Sequence, residues 1–430
     1  MMYTARQTAD LPRHSAAMRE YDPYAYEIHE DPYPVYAELR EHAPVYRNAR
    51  LGFWALSRHA DVSMAFRDAE RFSNRFGVSL DPAATHEGAH ATMSFLAMDP
   101  PRHTRMRALV SRGFTPRRIG DLEPRIRELA RRYIDRFIEE GRCDFIAEFA
   151  GKLPMDVVSE MLGVPDADRA NLREWADTVV HRDEGVTDLP PSAIAAAANI
   201  IGYFDALIRD RRAKPEAEDL TGALLRAEID GDRLSDAEVL GFLFLMIVAG
   251  NETTTKLLGN AIYWASRNPD QRRLVEADPT LVPRWVEETL RYDGSSQALA
   301  RTLTVDVELH GTMLRAGDRA VLLIGAANRD ERVFPDPDRY DIFRDTSQML
   351  SFGYGTHFCL GASLARLEGR IALEEVLARL PDYAIDESGI ARVHSVNVRG
   401  FAKLPIEFTP RKPNETGRAK ETGKVGGGRA

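Results

Sequence analysis

The chain has 430 residues, 44% hydrophobic and 29% charged, a balance that excludes a disordered or fibrous protein and supplies enough apolar material for a large core. Sixty-six acidic against 57 basic side chains leave a formal charge of −9, which argues against general affinity for nucleic acid. The two cysteines, Cys143 and Cys359, lie far apart in unlike surroundings, which excludes a disulfide framework or a cysteine-rich metal cluster and fits a reducing cytoplasm.

The first forty residues carry charges and prolines at short intervals and no apolar core of a secretory signal. A helix is predicted over Val35 to Glu41, then strands around Val45 to Arg47 and Phe53 to Ser57. From Asn74 to Pro101 the sequence is irregular and reads as a long loop bordering a ligand. Between Arg102 and Arg226 apolar residues recur at helical spacing, broken at Gly113, Gly141, Gly163 and the stretch from His181 to Pro191.

Ser235 and Glu238 have capping-box spacing and open a helix that need not stop before about Asn268, roughly 50 Å at 1.5 Å per residue. Its apolar run, Val239 to Gly250, is too short to span a bilayer, so no membrane anchor is expected. Leu303, Val305, Val307 and Leu309 alternate with polar residues as a β segment, followed by a turn at Arg315 to Asp318 and a strand from Ala320 to Ile324. A Gly-rich loop then enters a helix from about Leu360 to Leu380, and the basic, Gly-rich end from Pro410 is expected to be disordered.

The most specific segment is Phe352-Gly353-Tyr354-Gly355-Thr356-His357-Phe358-Cys359-Leu360-Gly361. A cysteine at a helix N-terminus sits where free backbone N–H groups stabilise a thiolate, and Gly353 and Gly355 let the chain bend close to a flat group. In the long helix, Ala249-Gly250-Asn251-Glu252-Thr253-Thr254 places an acid and hydroxyls in apolar surroundings, which needs internal partners or a purpose. Glu288 and Arg291 share a helix face at i and i+3, as His103 and Arg107 do at i and i+4.

These segments resemble the signature regions of the cytochrome P-450 superfamily, in the family's order and over nearly the whole chain. The resemblance implies a mainly α fold with a small β portion, a triangular haem domain crossed by a long central helix, spanning residues 1–410 with a tail at 411–430. It implies haem b (iron protoporphyrin IX) with Cys359 as axial ligand to the iron, and Phe352, Gly353, His357, Gly361, Ala249 and Gly250 around the macrocycle. His103, Arg107, Arg301 and His357 would bind the haem propionates. Thr253 would hydrogen-bond dioxygen on the iron, with Glu252 bringing protons and Gly250 leaving room and distorting the helix. Glu288 and Arg291 would form a buried structural ion pair completed by Arg339.

The activity so implied is that of a haem-thiolate monooxygenase, which activates O2 and hydroxylates or epoxidises a hydrophobic small molecule such as a terpenoid, steroid, fatty acid or polyketide-like natural product. Electrons would come from a separate ferredoxin and ferredoxin reductase, with Arg102, Arg105, Arg112, Arg117 and Arg118 as a docking patch. Phe76, Val78, Phe95, Leu96, Leu245, Ala249, Leu299 and Phe401 would line the substrate pocket. A monomer in the cytoplasm, without nucleic-acid or membrane partners, is expected. A peroxide-driven peroxygenase, a haem sensor or carrier, and a haem-free Cys-His hydrolase stay open as alternatives.

Overall fold

A computed structural model describes residues 19–413. Within it the chain is mainly helical. Helix α1 (Tyr33–His42) precedes β1 (Val45–Asn48) and β2 (Phe53–Leu56), which pair antiparallel with Tyr46 opposite Ala55. Helix α2 (His59–Arg67) and the short β3 (Phe72–Ser73) follow. Two distant strands, β4 (Ala298–Leu303) and β5 (Arg319–Leu323), complete a five-stranded sheet in the order β1-β2-β5-β4-β3. Strand β5 runs parallel to β2 and antiparallel to β4, so Val321 lies between Ala55 and Ala300. Alternation explains its burial: Leu56, Ala320 and Leu322 pack toward α2, whereas Ala55, Val321 and Leu323 pack toward α1.

The helical body begins with α3 (Arg102–Val110) and continues through α4 (Glu123–Asp135), α5 (Leu153–Leu162), α6 (Arg169–Val180) and α7 (Pro191–Ala213). Through it runs α8 (Asp236–Arg267), 32 residues or about 48 Å long. Its start is held as the sequence predicts: the Glu238 amide donates to Ser235 Oγ at 3.2 Å, and the Ser235 amide donates to Glu238 Oε2 at 2.9 Å. Helices α9 (Val282–Tyr292) and α10 (Ala362–Arg379) pack against each other and against α8. One apolar core lies between α4, α8, α9 and α10; a second joins α5, α7 and the first half of α8. Helices α7 and α8 are long and apolar enough by composition to cross a membrane, although no uninterrupted apolar run is, and both pack within this fold.

Three sequence expectations change. The alternation from Leu303 to Leu309 is not one strand: β4 ends at Leu303, Val305 is exposed in the turn, and Val307–Leu309 forms a separate hairpin with Thr312–Leu314. The segment from Asn74 to Pro101 contains short helical turns, including His90–Met93, which packs on α8 where Gly241 admits it. A Cβ at Gly241 would stand 2.7 Å from the Ala91 carbonyl oxygen, so any side chain there displaces the segment. The expected disordered tail lies outside the described residues from position 414 on, whereas Arg411 is tied by its amide to the Ile138 carbonyl at 3.0 Å and by its guanidinium to Asp382 at 2.9 Å.

Candidate haem site

The cysteine loop is a tight bend locked by its own backbone. The Cys359 amide donates to the Phe352 carbonyl at 2.8 Å, and the Gly353 amide to that of Leu350 at 2.8 Å. Gly353 and Gly355 adopt φ of +68° and +70°, the left-handed region that side chains disfavour. At Gly355 a Cβ would also press to 3.0 Å on the Phe66 carbonyl oxygen at the end of α2, so this glycine lets the loop lie against that helix. Cys359 thus reaches the start of α10 with its surface accessible on one side while protein crowds the others. Crowding pushes the thiol pKa up; the Gly361 amide and the Arg107 and Arg366 guanidiniums work against it. A Cβ at Gly361 would lie 4.0 Å from Cys359 Sγ with nothing nearer, so the glycine keeps bulk away from the sulfur.

Four basic side chains surround this loop, and among the described residues none of them forms an ion pair, Asp99 acting on His103 and Arg301 only through space. The His103 and His357 rings lie 4.1 Å apart, and Arg107 Nη2 donates to the Phe358 carbonyl at 2.6 Å. Among the described residues, both ring nitrogens of His103 and His357, and Nη1 of Arg107, are buried without an aligned hydrogen-bond partner, the Met98 backbone being the group that approaches His357. Arg301, on β4, is 2% exposed; Nη1 donates to the neighbouring Ala300 carbonyl, and the guanidinium stands over the Phe66 ring at 5.3 Å. Burial, reinforced by Arg319, pulls its pKa down to about 9. Burial likewise lowers His103 to about 4 and holds His357 far below its usual range. Buried donors without acceptors, beside guanidiniums that reach carbonyls but no carboxylate among the described residues, fit an anionic group, which two propionates would supply. These residues fit haem.

On α8 the Thr253 hydroxyl donates back to the Ala249 carbonyl at 2.9 Å, and the Thr253 carbonyl accepts from Ser295 Oγ at 2.6 Å. Ala249 is exposed at mid-helix, which marks an opening in the fold beside Thr253. Glu252 is 1% exposed, with Lys256 Nζ at 3.2 Å. The helix is continuous through Gly250. A Cβ on Gly250 would meet Val158 of α5 at 3.6 Å, so this residue faces helix packing rather than the opening. One residue beyond Thr253, Thr254 reaches the Glu368 carboxyl of α10, which burial pushes up to about 8.

Of the residues expected to line a pocket, Leu245, Leu96, Leu299 and Phe76 are half-buried, and Val78 is buried. Phe95 stands edge-on to His103 and near Phe242 of α8, tying the irregular segment to the basic cluster. Phe401 is a correction: it is fully buried against Tyr263 and Gly259 in the core, because its strand returns beneath α8.

Glu288 and Arg291 form the expected buried pair, with Nε to Oε2 at 2.8 Å and Nη2 to Oε1 at 2.7 Å. Arg339 does not complete it. Its side chain points outward near Asp341, and only its carbonyl faces Arg291 at 3.4 Å; the third cation is Arg344, 3.5 Å from Glu288 Oε1 and 9% exposed. Of the expected docking arginines, Arg102, Arg117 and Arg118 are exposed, but Arg105 is committed to Asp232 and Glu238, and Arg112 to the Glu228 carbonyl. Neither Lys256, four residues beyond Glu252, nor Arg344 was singled out from the sequence; helical spacing signals the first, and nothing local signals the second.

A cysteine loop entering a helix, a cluster of buried basic side chains around it and a threonine-bearing central helix define a haem-thiolate protein. The cytochrome P-450 family model matches residues 191–381. A Mycobacterium tuberculosis relative whose name gives a number and no reaction, cytochrome P-450 123, is 56% identical over 91% of this chain and 97% of its own length. The cytochrome P-450 monooxygenase PikC of Streptomyces venezuelae is 41% identical over 90% of this chain and 93% of its own. Among solved structures, cytochrome P-450 CYP109Q5 from Chondromyces apiculatus superposes with a TM-score of 0.82 at 38% identity, covering 92% of this chain and all of that one. The chain belongs to the cytochrome P-450 family; it is an oxidoreductase that binds haem.

Proposed function

We propose that this protein is a monooxygenase that draws electrons from a separate ferredoxin and its reductase and inserts oxygen into a bulky, largely apolar natural product. The observation that carries the haem assignment is the accessible Cys359 among four basic side chains that form no ion pair with an acid among the described residues. Haem, when bound, supplies a redox-active iron at which O2 is reduced. Cys359 would hold the iron, and His103, Arg107, Arg301 and His357 the propionates. The Thr253 hydroxyl, oriented by the Ala249 carbonyl, would present a hydrogen bond at the opening beside Ala249, and Glu252 would feed protons to it.

The substrate class rests on two supports. Half-buried Leu96, Leu245 and Leu299 offer apolar walls. Relatives are named for large, mostly apolar molecules: a vitamin D(3) 25-hydroxylase from Pseudonocardia autotrophica, 39% identical, and a Bacillus megaterium CYP109E1 structure in complex with testosterone, 31% identical. The same reading makes residues 1–410 one haem domain of a cytoplasmic monomer, the acidic balance favouring solubility.

Reduced protein under carbon monoxide should show the red-shifted Soret band of sulfur coordination, and Cys359→His should lose it. A wild-type protein loaded with haem that lacks the band overturns the assignment. Steroids and macrolides, screened against the oxidised protein, should shift the Soret band to the blue. The buried Glu252 beside Thr253 favours the O2 route over a peroxide-driven one, and faster turnover with peroxide than with NADPH and redox proteins would reverse that preference.

A further inference from the structure

Glu252 is short of hydrogen bonds for a buried acid. Lys256 Nζ stands 3.2 Å from Oε2 one turn along α8, yet among the described residues neither carboxylate oxygen has an aligned donor. Helix α6 packs against α8, and from it a second acid, Asp177, acts on Glu252 as a hydrogen-bonding and electrostatic partner. With both acids ionised, two carboxylates would face one ammonium at Glu252, which is 1% exposed, and leave an excess of negative charge that Arg173, the weakest of the groups acting on Asp177, offsets only in part. A single proton removes that excess and gives Glu252 the donor it lacks.

The two acids differ in surroundings. Glu252 is closed off, whereas Asp177 keeps an exposed side although protein crowds its carboxyl. Burial first, and the Glu252 carboxylate second, push Asp177 up to about 8, while Lys256 holds Glu252 below the usual carboxylate range. The groups acting on Asp177 are therefore Glu252 and Lys256 from α8 and Arg173 from its own helix. The segment packed over Lys256 passes through Gly400, whose neighbour Arg399 is committed to Asp293 at 2.8 Å.

We infer that Asp177 is the outer acid of a two-carboxyl relay, holding a proton against Glu252 and passing it inward, with replacement from water on its open side. One O–H bond breaks at Asp177 as one forms at Glu252, and a solvent proton restores the first, so charge and atoms balance over each delivery. Asp177 is a positioning residue that acts through Glu252. The inference rests on the reading of Glu252 as the proton donor toward Thr253.

The test uses haem-loaded protein with Asp177→Asn, Asp177→Glu and Glu252→Gln. Asparagine can still donate a hydrogen bond to Glu252 but cannot release a proton, so product formed per NADPH should fall about tenfold, with more hydrogen peroxide and an unchanged carbon monoxide spectrum. Asp177→Glu should restore most of the coupling. In wild type the coupling should decline above about pH 8, as Asp177 loses its proton, and Asp177→Asn should flatten that limb. Without turnover, the infrared difference between wild type and Asp177→Asn should contain a protonated-carboxyl band that moves in heavy water. The same band should titrate at lower pH in Glu252→Gln, because removing the neighbouring charge takes away the second cause that raises Asp177. Full coupling in Asp177→Asn beside an uncoupled Glu252→Gln overturns the relay and leaves Glu252 its role; full coupling in both removes that role too. Only carboxylate bands in the wild-type difference would likewise overturn it.

Discussion

Arg182, after the end of α6, grips Asp81 in the irregular segment through two parallel hydrogen bonds, Nε to Oδ1 at 3.0 Å and Nη2 to Oδ2 at 2.8 Å. Asp81 is fully buried and Arg182 nearly so, and the Ala83 amide adds a second tie to Asp188 at 2.9 Å. Two loops far apart in sequence are thereby closed over one another. Because the pair is buried and bidentate, removing one partner strands the other, at roughly 3–5 kcal/mol. Arg182→Ala should therefore release the segment around Asp81 to limited proteolysis and amide exchange. Arg182→Lys, which cannot make the fork, should lie between the variant and wild type. Equal protection in all three would show the pair to be inert.

The correction at the ion pair gives a paired prediction. Arg344→Met removes a cation beside a fully buried Glu288, whereas Arg339→Ala trims an exposed side chain. The first should lower unfolding free energy by roughly 2 kcal/mol or more, and the second by less than about 0.5 kcal/mol, read from denaturant midpoints. A larger effect at Arg339 would restore the expectation drawn from sequence.

Arg301 carries a cost when no anion faces it. The residue is 2% exposed, and among the described residues its guanidinium hydrogen-bonds only to the Ala300 carbonyl. Arg301→Met should therefore raise the melting temperature of haem-stripped protein while speeding haem transfer to an acceptor such as apomyoglobin. A destabilised apoprotein that kept its haem equally well would contradict this.

His29 sets a pH dependence of folding away from the haem site. It is 7% exposed, Nε2 meets the Pro23 carbonyl at 2.9 Å, and burial lowers its pKa to about 4. The folded state thus binds no proton at His29 where the unfolded chain, near 6.5, already does. Its contribution is whole above about pH 6.5 and is lost as pH falls toward about 4, by an amount on the order of 2 kcal/mol. Denaturant titrations of wild type and His29→Gln should converge in slope above that window and diverge within it, wild type falling more steeply.

The sequence made legible what is local or repeated. The capping box at Ser235, the helix after Cys359 and the pairing of Glu288 with Arg291 depend on neighbours three or four residues away, and the structure has all three. What escaped depends on contacts across the fold. Arg344 reaches Glu288 from a coil, Asp177 meets Glu252 from another helix, and Phe401 is placed by a strand that returns under α8. Gly250 misled for the same reason, since which way its bare side faces is fixed by Val158 on a different helix.

The cap at Ser235 has a consequence beyond the helix start it secures. Each residue of α8 turns the next by roughly 100°, so the direction in which the acid and hydroxyl at 252 and 253 point is counted off from that anchored first turn. Adding one residue anywhere between the anchor and Ala249 would rotate the later half of the rod by more than a quarter turn, or force a bulge to absorb it. The serine thus works as the zero mark of an angular scale on which the chemistry, some seventeen positions downstream, is read.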